Sequence, residues 1–151
     1  IEIGTWFGAS ALVAALVKKR FGIDGTVTCI DPFKADTPEY LLATPSKEAV
    51  LESARKLDIE LDIIEKSSYP WPQELKDRTW TVGYVDGDHR YPQPKRDVSN
   101  LSNRVSKYLI IDDFGPSKPG IKLAVLNLMI QDPEWNLYMI FKQSVVLRKE
   151  D

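Results

Sequence analysis

The sequence predicts an α/β fold: a mostly parallel sheet covered by helices, with an antiparallel hairpin at one edge. Three observations carry that expectation. Strand-like apolar runs alternate with helix-period segments, and the last two runs, Trp135–Phe141 and Ser144–Leu147, are separated only by Lys142-Gln143, as in a hairpin. The chain opens on the end of an apolar strand, a glycine turn and a helix, within Ile1-Glu2-Ile3-Gly4-Thr5-Trp6-Phe7-Gly8-Ala9-Ser10. Polar residues then collect where the predicted strands end: Asp31, Ser67 and Ser68, Asp86, Asp88 and His89, and Asp112 and Asp113.

Each element has a local reason. Gly4 and Gly8 allow a tight turn that a ligand can approach closely. The helix after it, from about Gly8 to Phe21, carries Ala9, Leu12, Val13, Leu16 and Val17 on its predicted apolar face and stops at Gly22. A strand follows over Thr26–Ile30, then a loop over 34–43. Thr44-Pro45 reads as an N-cap and first helical residue, with Ala49, Val50, Ala54 and Leu57 lining that helix. Ile59–Glu65 alternates apolar and acidic residues like a strand with one open face, and a loop from Lys66 to Gln73 carries Tyr69 and Trp71. A short helical piece near Pro72–Asp77 leads to the strand Trp80–Val85. Proline at 92 and 94 delays the next helix to Pro94–Val105, before the strand Tyr108–Ile111 and a helix over Ile121–Ile130.

With 151 residues the chain is long enough for one domain with a real core. A net charge of −2 argues against a nucleic-acid or anionic-membrane surface, either of which needs a basic face. Lys18-Lys19-Arg20 sits at a helix end, where cations suit the dipole. The single cysteine, Cys29, excludes an internal disulfide and lies in an apolar strand, as a buried core residue would in a reducing, cytoplasmic compartment. No apolar run is long enough to span a membrane.

Parallel crossovers are right-handed, so successive strand ends are expected on one rim, where α/β folds bind ligands. Asp31, at the end of the second strand, suits the two hydroxyls of a ribose. The turn is G-x-x-x-G rather than G-x-G-x-x-G, and nothing small or basic is set for a pyrophosphate, so the pattern favours an adenosyl ligand without phosphates over NAD. Asp86, Asp112 and Asp113 end adjacent predicted strands. Three carboxylates that close need a cation or raised pKa values, and hard oxygen donors suit Mg²⁺, Ca²⁺ or Mn²⁺. His89, the only histidine, lies in the same loop and is a candidate general base.

Taken together these residues resemble the class I S-adenosylmethionine-dependent methyltransferases. They are most similar to the metal-dependent O-methyltransferases, of the macrocin O-methyltransferase type, that act on sugars of macrolide and related natural products. The resemblance rests on Glu2 to Ser10, Cys29-Ile30-Asp31-Pro32-Phe33, Tyr84-Val85-Asp86-Gly87-Asp88-His89-Arg90-Tyr91 with Asp97, and Leu109-Ile110-Ile111-Asp112-Asp113-Phe114 with Pro119-Gly120. It implies a Rossmann-like methyltransferase fold with a seven-stranded sheet. Glu2, Gly4 and Gly8 would hold the methionine end of S-adenosylmethionine, and Asp31 the ribose. The expected cofactor-binding set also includes Thr5, Trp6, Ser10, Phe33, Ser67, Ser68 and Asp86. Asp86, Asp112 and Asp113 would bind Mg²⁺ or another hard divalent cation, and His89, with Asp86 beside it, would take the proton of a small-molecule hydroxyl.

Two departures from that pattern stand out. Relatives carry a Gly-Asp-Ser-like turn after the third strand, where this chain has Lys66-Ser67-Ser68. Relatives also carry N-terminal helices over the cofactor, whereas this chain begins inside the first strand without Met, so residues before Ile1 are expected to be missing. Two other classes remain open. One is a fold relative that binds an adenosyl ligand or a protein partner without catalysis; the other is an NAD-type oxidoreductase, disfavoured by the absent G-x-G-x-x-G. Trp135, Leu137 and Tyr138 on the edge hairpin suit a homo-oligomer interface.

Overall fold

A computed structural model describes residues 1–34 and 45–150. The elements alternate as expected, and the fold is a seven-stranded, mostly parallel α/β sheet with antiparallel C-terminal strands and four helices. Two compact units make up the chain. The expected loop over 35–43 and the expected N-cap at Thr44 lie outside the described residues.

The unit Glu2–Ser68 holds β1 (Glu2–Ile3), α1 (Ala9–Phe21), β2 (Thr28–Ile30), α2 (Lys47–Lys56) and β3 (Asp62–Ile64). Its strands are parallel, with β2 between β1 and β3: Glu2 pairs with Cys29, and Cys29 with Ile63. Ala11, Cys29, Phe33, Val50 and Ile63 form its core. Burial pushes the Cys29 thiol up to about 12, with the nearby Glu2 charge adding to it, so this cysteine is an inert core residue.

One expectation for α1 is overturned. The helix buries Ala11 and Ala15, while Val13, Leu16 and Val17 of the predicted apolar face are exposed. Alanine is small enough to bring a helix backbone close to the strands beneath it, and a hydrophobicity count ranks it below the bulkier residues that face outward. The N-cap of α2 is Ser46, whose Oγ accepts from the Ala49 N–H at 3.2 Å, so Pro45 precedes the helix instead of opening it.

The second unit comprises Ile1 and the chain from Tyr69 onward. It contains a 3₁₀ turn (Gln73–Leu75), β4 (Trp80–Val85), α3 (Gln93–Ser102), β5 (Val105–Ile111), α4 (Pro119–Gln131), β6 (Trp135–Phe141) and β7 (Ser144–Lys149). Strand β4 pairs parallel with β5, β7 runs antiparallel to β5, and β6 closes the hairpin on β7. Helix α3 ends and β5 begins three residues earlier than the apolar pattern suggests. The polar Ser106 and Lys107 face solvent in the strand, where periodicity reads them as a break. Leu101, Leu109, Ile111, Val145 and Leu147 are fully enclosed and form the centre of this core.

Gly83 lets β4 lie flat against that core. A Cβ there would sit 2.9 Å from Leu109 Cδ1 and 2.9 Å from Val105 Cγ2. Gly83→Ala is therefore expected to destabilise the protein by about 1–3 kcal/mol through overpacking, read as a lower urea midpoint with an unchanged m-value.

Candidate active site

In the first unit the glycine turn is held from the end of the next strand. Gly4, Trp6 and Gly8 all have positive φ (89°, 47° and 80°), which glycine adopts freely and tryptophan only under constraint. Asp31 supplies the constraint. Its Oδ2 accepts from the backbone N–H groups of Thr5 and Trp6, each at 2.8 Å, and its Oδ1 accepts from the Phe33 N–H at 2.6 Å. The residue expected to meet a ribose thus also ties down the turn, a second role the sequence does not reveal.

Gly8 ends the turn and caps α1, and a Cβ there would lie 2.7 Å from Val50 Cγ1. Among the described residues no side chain is recorded capping the first turn of α1, whose N–H groups suit a ligand. Buried Glu2 accepts a hydrogen bond from Ser10 Oγ. Thr5 is buried, Trp6 half exposed, and Phe33 buried with φ 49°. Of the serine pair, Ser67 is exposed and Ser68 buried.

In the second unit the loops after β4 and β5 bring acids and the histidine together. Asp86, His89 and Asp113 each offer a ligand atom within 4.8 Å of the others. His89 Nε2 lies 3.1 Å from Asp113 Oδ2 and 3.7 Å from Asp86 Oδ1. That nitrogen is buried and misaligned for a hydrogen bond to either carboxylate, so it has no hydrogen-bond partner among the described residues. His89 Nδ1 is 3.4 Å from Lys118 Nζ, a contact too long to fix the tautomer.

Asp112, expected beside Asp86 and Asp113, is engaged differently. Its Oδ1 accepts from Ser144 Oγ at 2.6 Å and its Oδ2 from Tyr84 OH at 3.0 Å. Burial pushes its carboxyl up, but the hydrogen bonds from Ser144, the Asp113 backbone and Tyr84 outweigh that and hold it below the usual carboxylate range. Asp113 itself takes a positive φ of 55°, which turns the chain sharply between the two acids.

The remaining polar residues shape the loop. Arg90 donates to both oxygens of Asp88 and holds its carboxyl low. Asp97 is buried in α3 and accepts from Gln93 Nε2 at 2.9 Å. Gly120 lies under the same loop: a Cβ there would meet the His89 carbonyl oxygen at 3.3 Å. Sequence reasoning passed over Tyr84, Ser144 and Lys118. Register alone could have found the first two, because Tyr84 pairs with Ile110, two residues before Asp112, and Val145 pairs with Ile111, one step before the Ser144–Asp112 contact.

Two carboxylates in one small cluster suit a divalent cation and the imidazole nitrogen facing them suits a proton acceptor, while an acid beside a helix N-terminus suits a zwitterionic amino-acid group. Comparisons with known proteins agree with the fold this implies. A family model described as a methyltransferase domain matches residues 1–114, and the chain belongs to that family. The O-methyltransferase NovP superposes with a TM-score of 0.80 at 21% identity, covering 99% of this chain and 71% of its own. The TDP-rhamnose 3'-O-methyltransferase CalS11 of calicheamicin biosynthesis gives 0.70 at 18%, with the same coverage of 99% and 71%. SMU.1697c of Streptococcus mutans, a putative methyltransferase in complex with SAH, gives 0.62 at 13%, covering 99% and 88%. None of the curated proteins matches the chain significantly. Among the described residues no helix is long and apolar enough to cross a membrane.

Two expectations follow from the geometry. Asp31→Ala removes two backbone hydrogen bonds from the turn and one from its own loop, and should lower stability by about 1–3 kcal/mol in ligand-free protein, measured by urea unfolding. Because Asp112 is held low in the folded state, its stabilisation is fully present above the ordinary carboxylate range and is lost as pH falls through the folded value. Asp112→Asn should therefore flatten the acid limb of stability against pH, followed by thermal melts across the acidic range.

Proposed function

We propose that this chain acts as one S-adenosylmethionine-dependent O-methyltransferase domain, methylating a hydroxyl of a small molecule such as a sugar or related natural-product polyol, with Mg²⁺ or another hard divalent cation. The observation that carries the reading is the cluster of Asp86, His89 and Asp113, in which a buried imidazole nitrogen without a hydrogen-bond partner faces two carboxylates. Its similarity to NovP and CalS11, both O-methyltransferases, and to SMU.1697c with bound SAH, supports the same reaction class and cofactor.

In this reading Glu2, Gly4, Thr5, Gly8 and Ser10 receive the methionine end of the cofactor. The Glu2 carboxylate suits its ammonium, and the first N–H groups of α1 suit its carboxylate. Three of the four lone pairs of Asp31 are used by backbone N–H groups, and the one left on Oδ1 suits a ribose hydroxyl. Trp6, Phe33, Ser67 and Ser68 border the adenosyl end, and Asp86 the reacting centre.

Asp86, Asp112 and Asp113 would hold the cation. When bound, S-adenosylmethionine would supply an electrophilic methyl group, whose bond to sulfur breaks as its bond to the hydroxyl oxygen forms, and the cation would supply charge that favours the deprotonated hydroxyl. His89 takes the hydroxyl proton at Nε2, where Asp113 at 3.1 Å stabilises the resulting positive ring. Positioning of the hydroxyl by these groups contributes much of the remaining rate.

A cytoplasmic setting suits the single free thiol. Self-association would use β6, where Leu137 and Tyr138 are exposed as expected, together with Met139 to Phe141, whereas Trp135 is buried in the core and is not part of that face.

Calorimetric titration of S-adenosylhomocysteine, with Mg²⁺ and then with EDTA, tests the reading. It should give cofactor binding in both buffers and a separate Mg²⁺ heat that Asp113→Ala abolishes while cofactor binding persists. A folded protein that binds neither ligand would point to a scaffold relative instead.

A further inference from the structure

We propose that Tyr84 and Ser144 are positioning residues that aim the Asp112 carboxylate for the cation. This rests on the cation named in the proposed function and extends it to two hydroxyls to which the sequence assigns no role. The argument begins with what holds Asp112. Two hydroxyls from different strands, Tyr84 on β4 and Ser144 on β7, each donate to a different oxygen of the one carboxylate, at 3.0 and 2.6 Å. A carboxylate on a loop otherwise rotates freely about its last side-chain bond. Clasped from both sides, with the Asp113 backbone N–H as a third donor, it has one orientation and keeps one lone pair.

The clasp is also tied to the backbone around it. The Asp112 N–H donates to the Val85 carbonyl at 3.0 Å, at the end of the strand that carries Tyr84. The Phe114 N–H donates to the Gln143 carbonyl at 2.6 Å, one residue before Ser144. The acid loop is therefore fastened on one side to β4 and on the other to the turn of the β6–β7 hairpin, and the hydroxyl beside each fastening donates to the same side chain, Asp112.

The same hydroxyls could act only as structural anchors for the loop, and the two roles make different demands. An anchor affects stability. A positioning residue affects cation affinity, typically by tenfold or more when a group that orients a ligand is removed. The hairpin then has a function of its own: the antiparallel edge of the sheet completes the acid site by placing Ser144 opposite Asp112.

Mn²⁺ titration followed by electron paramagnetic resonance, which reads bound and free ion without turnover, tests this on the full chain. Tyr84→Phe and Ser144→Ala should each weaken Mn²⁺ binding by about tenfold, and Ser144→Thr, which keeps the hydroxyl, should bind like the wild type. Thermal melts in EDTA run alongside, and because the two hydroxyls sit on different strands, failure of one variant to fold leaves the other decisive. Wild-type affinity in a folded Tyr84→Phe or Ser144→Ala, or a Ser144→Thr as weak as Ser144→Ala, overturns the positioning role while the cation reading stands. A wild-type protein that binds no Mn²⁺ overturns both.

Discussion

Parallel pairing of strands is the constraint on which the rest depends. A chain that pairs parallel with its predecessor must return to the same starting edge, so the loops that leave such strands emerge at the same end. In the first unit this brings Asp31, after β2, to the glycine turn after β1. In the second it brings Asp112 and Asp113, after β5, to Asp86 and His89, after β4. Neither cluster requires residues close in sequence. Both require only that the residue after a strand be polar.

Each unit then solves the same problem, an acid at a strand end whose charge must be held in place. Asp31 is held by backbone N–H groups, three of them, and in return it stabilises the positive φ of Trp6 and the turn around it. Asp112 is held by two side-chain hydroxyls, and in return it ties the hairpin to the acid loop. Carboxylates held in this way fix geometry before any ligand arrives, which spares the binding step part of its ordering entropy.

Much of this was legible in the sequence, because it is local. Gly4 and Gly8, the Asp-Gly-Asp-His run and the Asp112-Asp113 pair each sit where a strand ends, and the alternation of strands and helices indicated the sheet before any coordinates. What escaped was set by long-range register. Ser144 is 32 positions from Asp112, and only the antiparallel pairing of β5 with β7 places it there. The wrong face of α1 has a different cause. Ala11 and Ala15 carry little hydrophobic signal but permit close approach, so steric fit overrode the apolar count that favoured Val13 and Val17. Strand β5 began early for a related reason, since an edge of Ser106 and Lys107 facing solvent looks like a loop to a periodicity test.

Family membership defines a methyltransferase domain, and the particular chemistry proposed here turns on whether oxygen is the methyl acceptor. The most direct test follows the methyl group itself. The protein is incubated with S-adenosylmethionine labelled with ¹³C at the methyl, Mg²⁺ and a panel of sugar and polyol acceptors, and carbon NMR records where the label goes. A new resonance at the shift of a methyl ether, absent with EDTA and absent in His89→Ala, is the predicted result. Label that transfers to nitrogen or carbon, or that reaches oxygen equally well without a divalent cation, would contradict the roles given to His89 and to the acids around it.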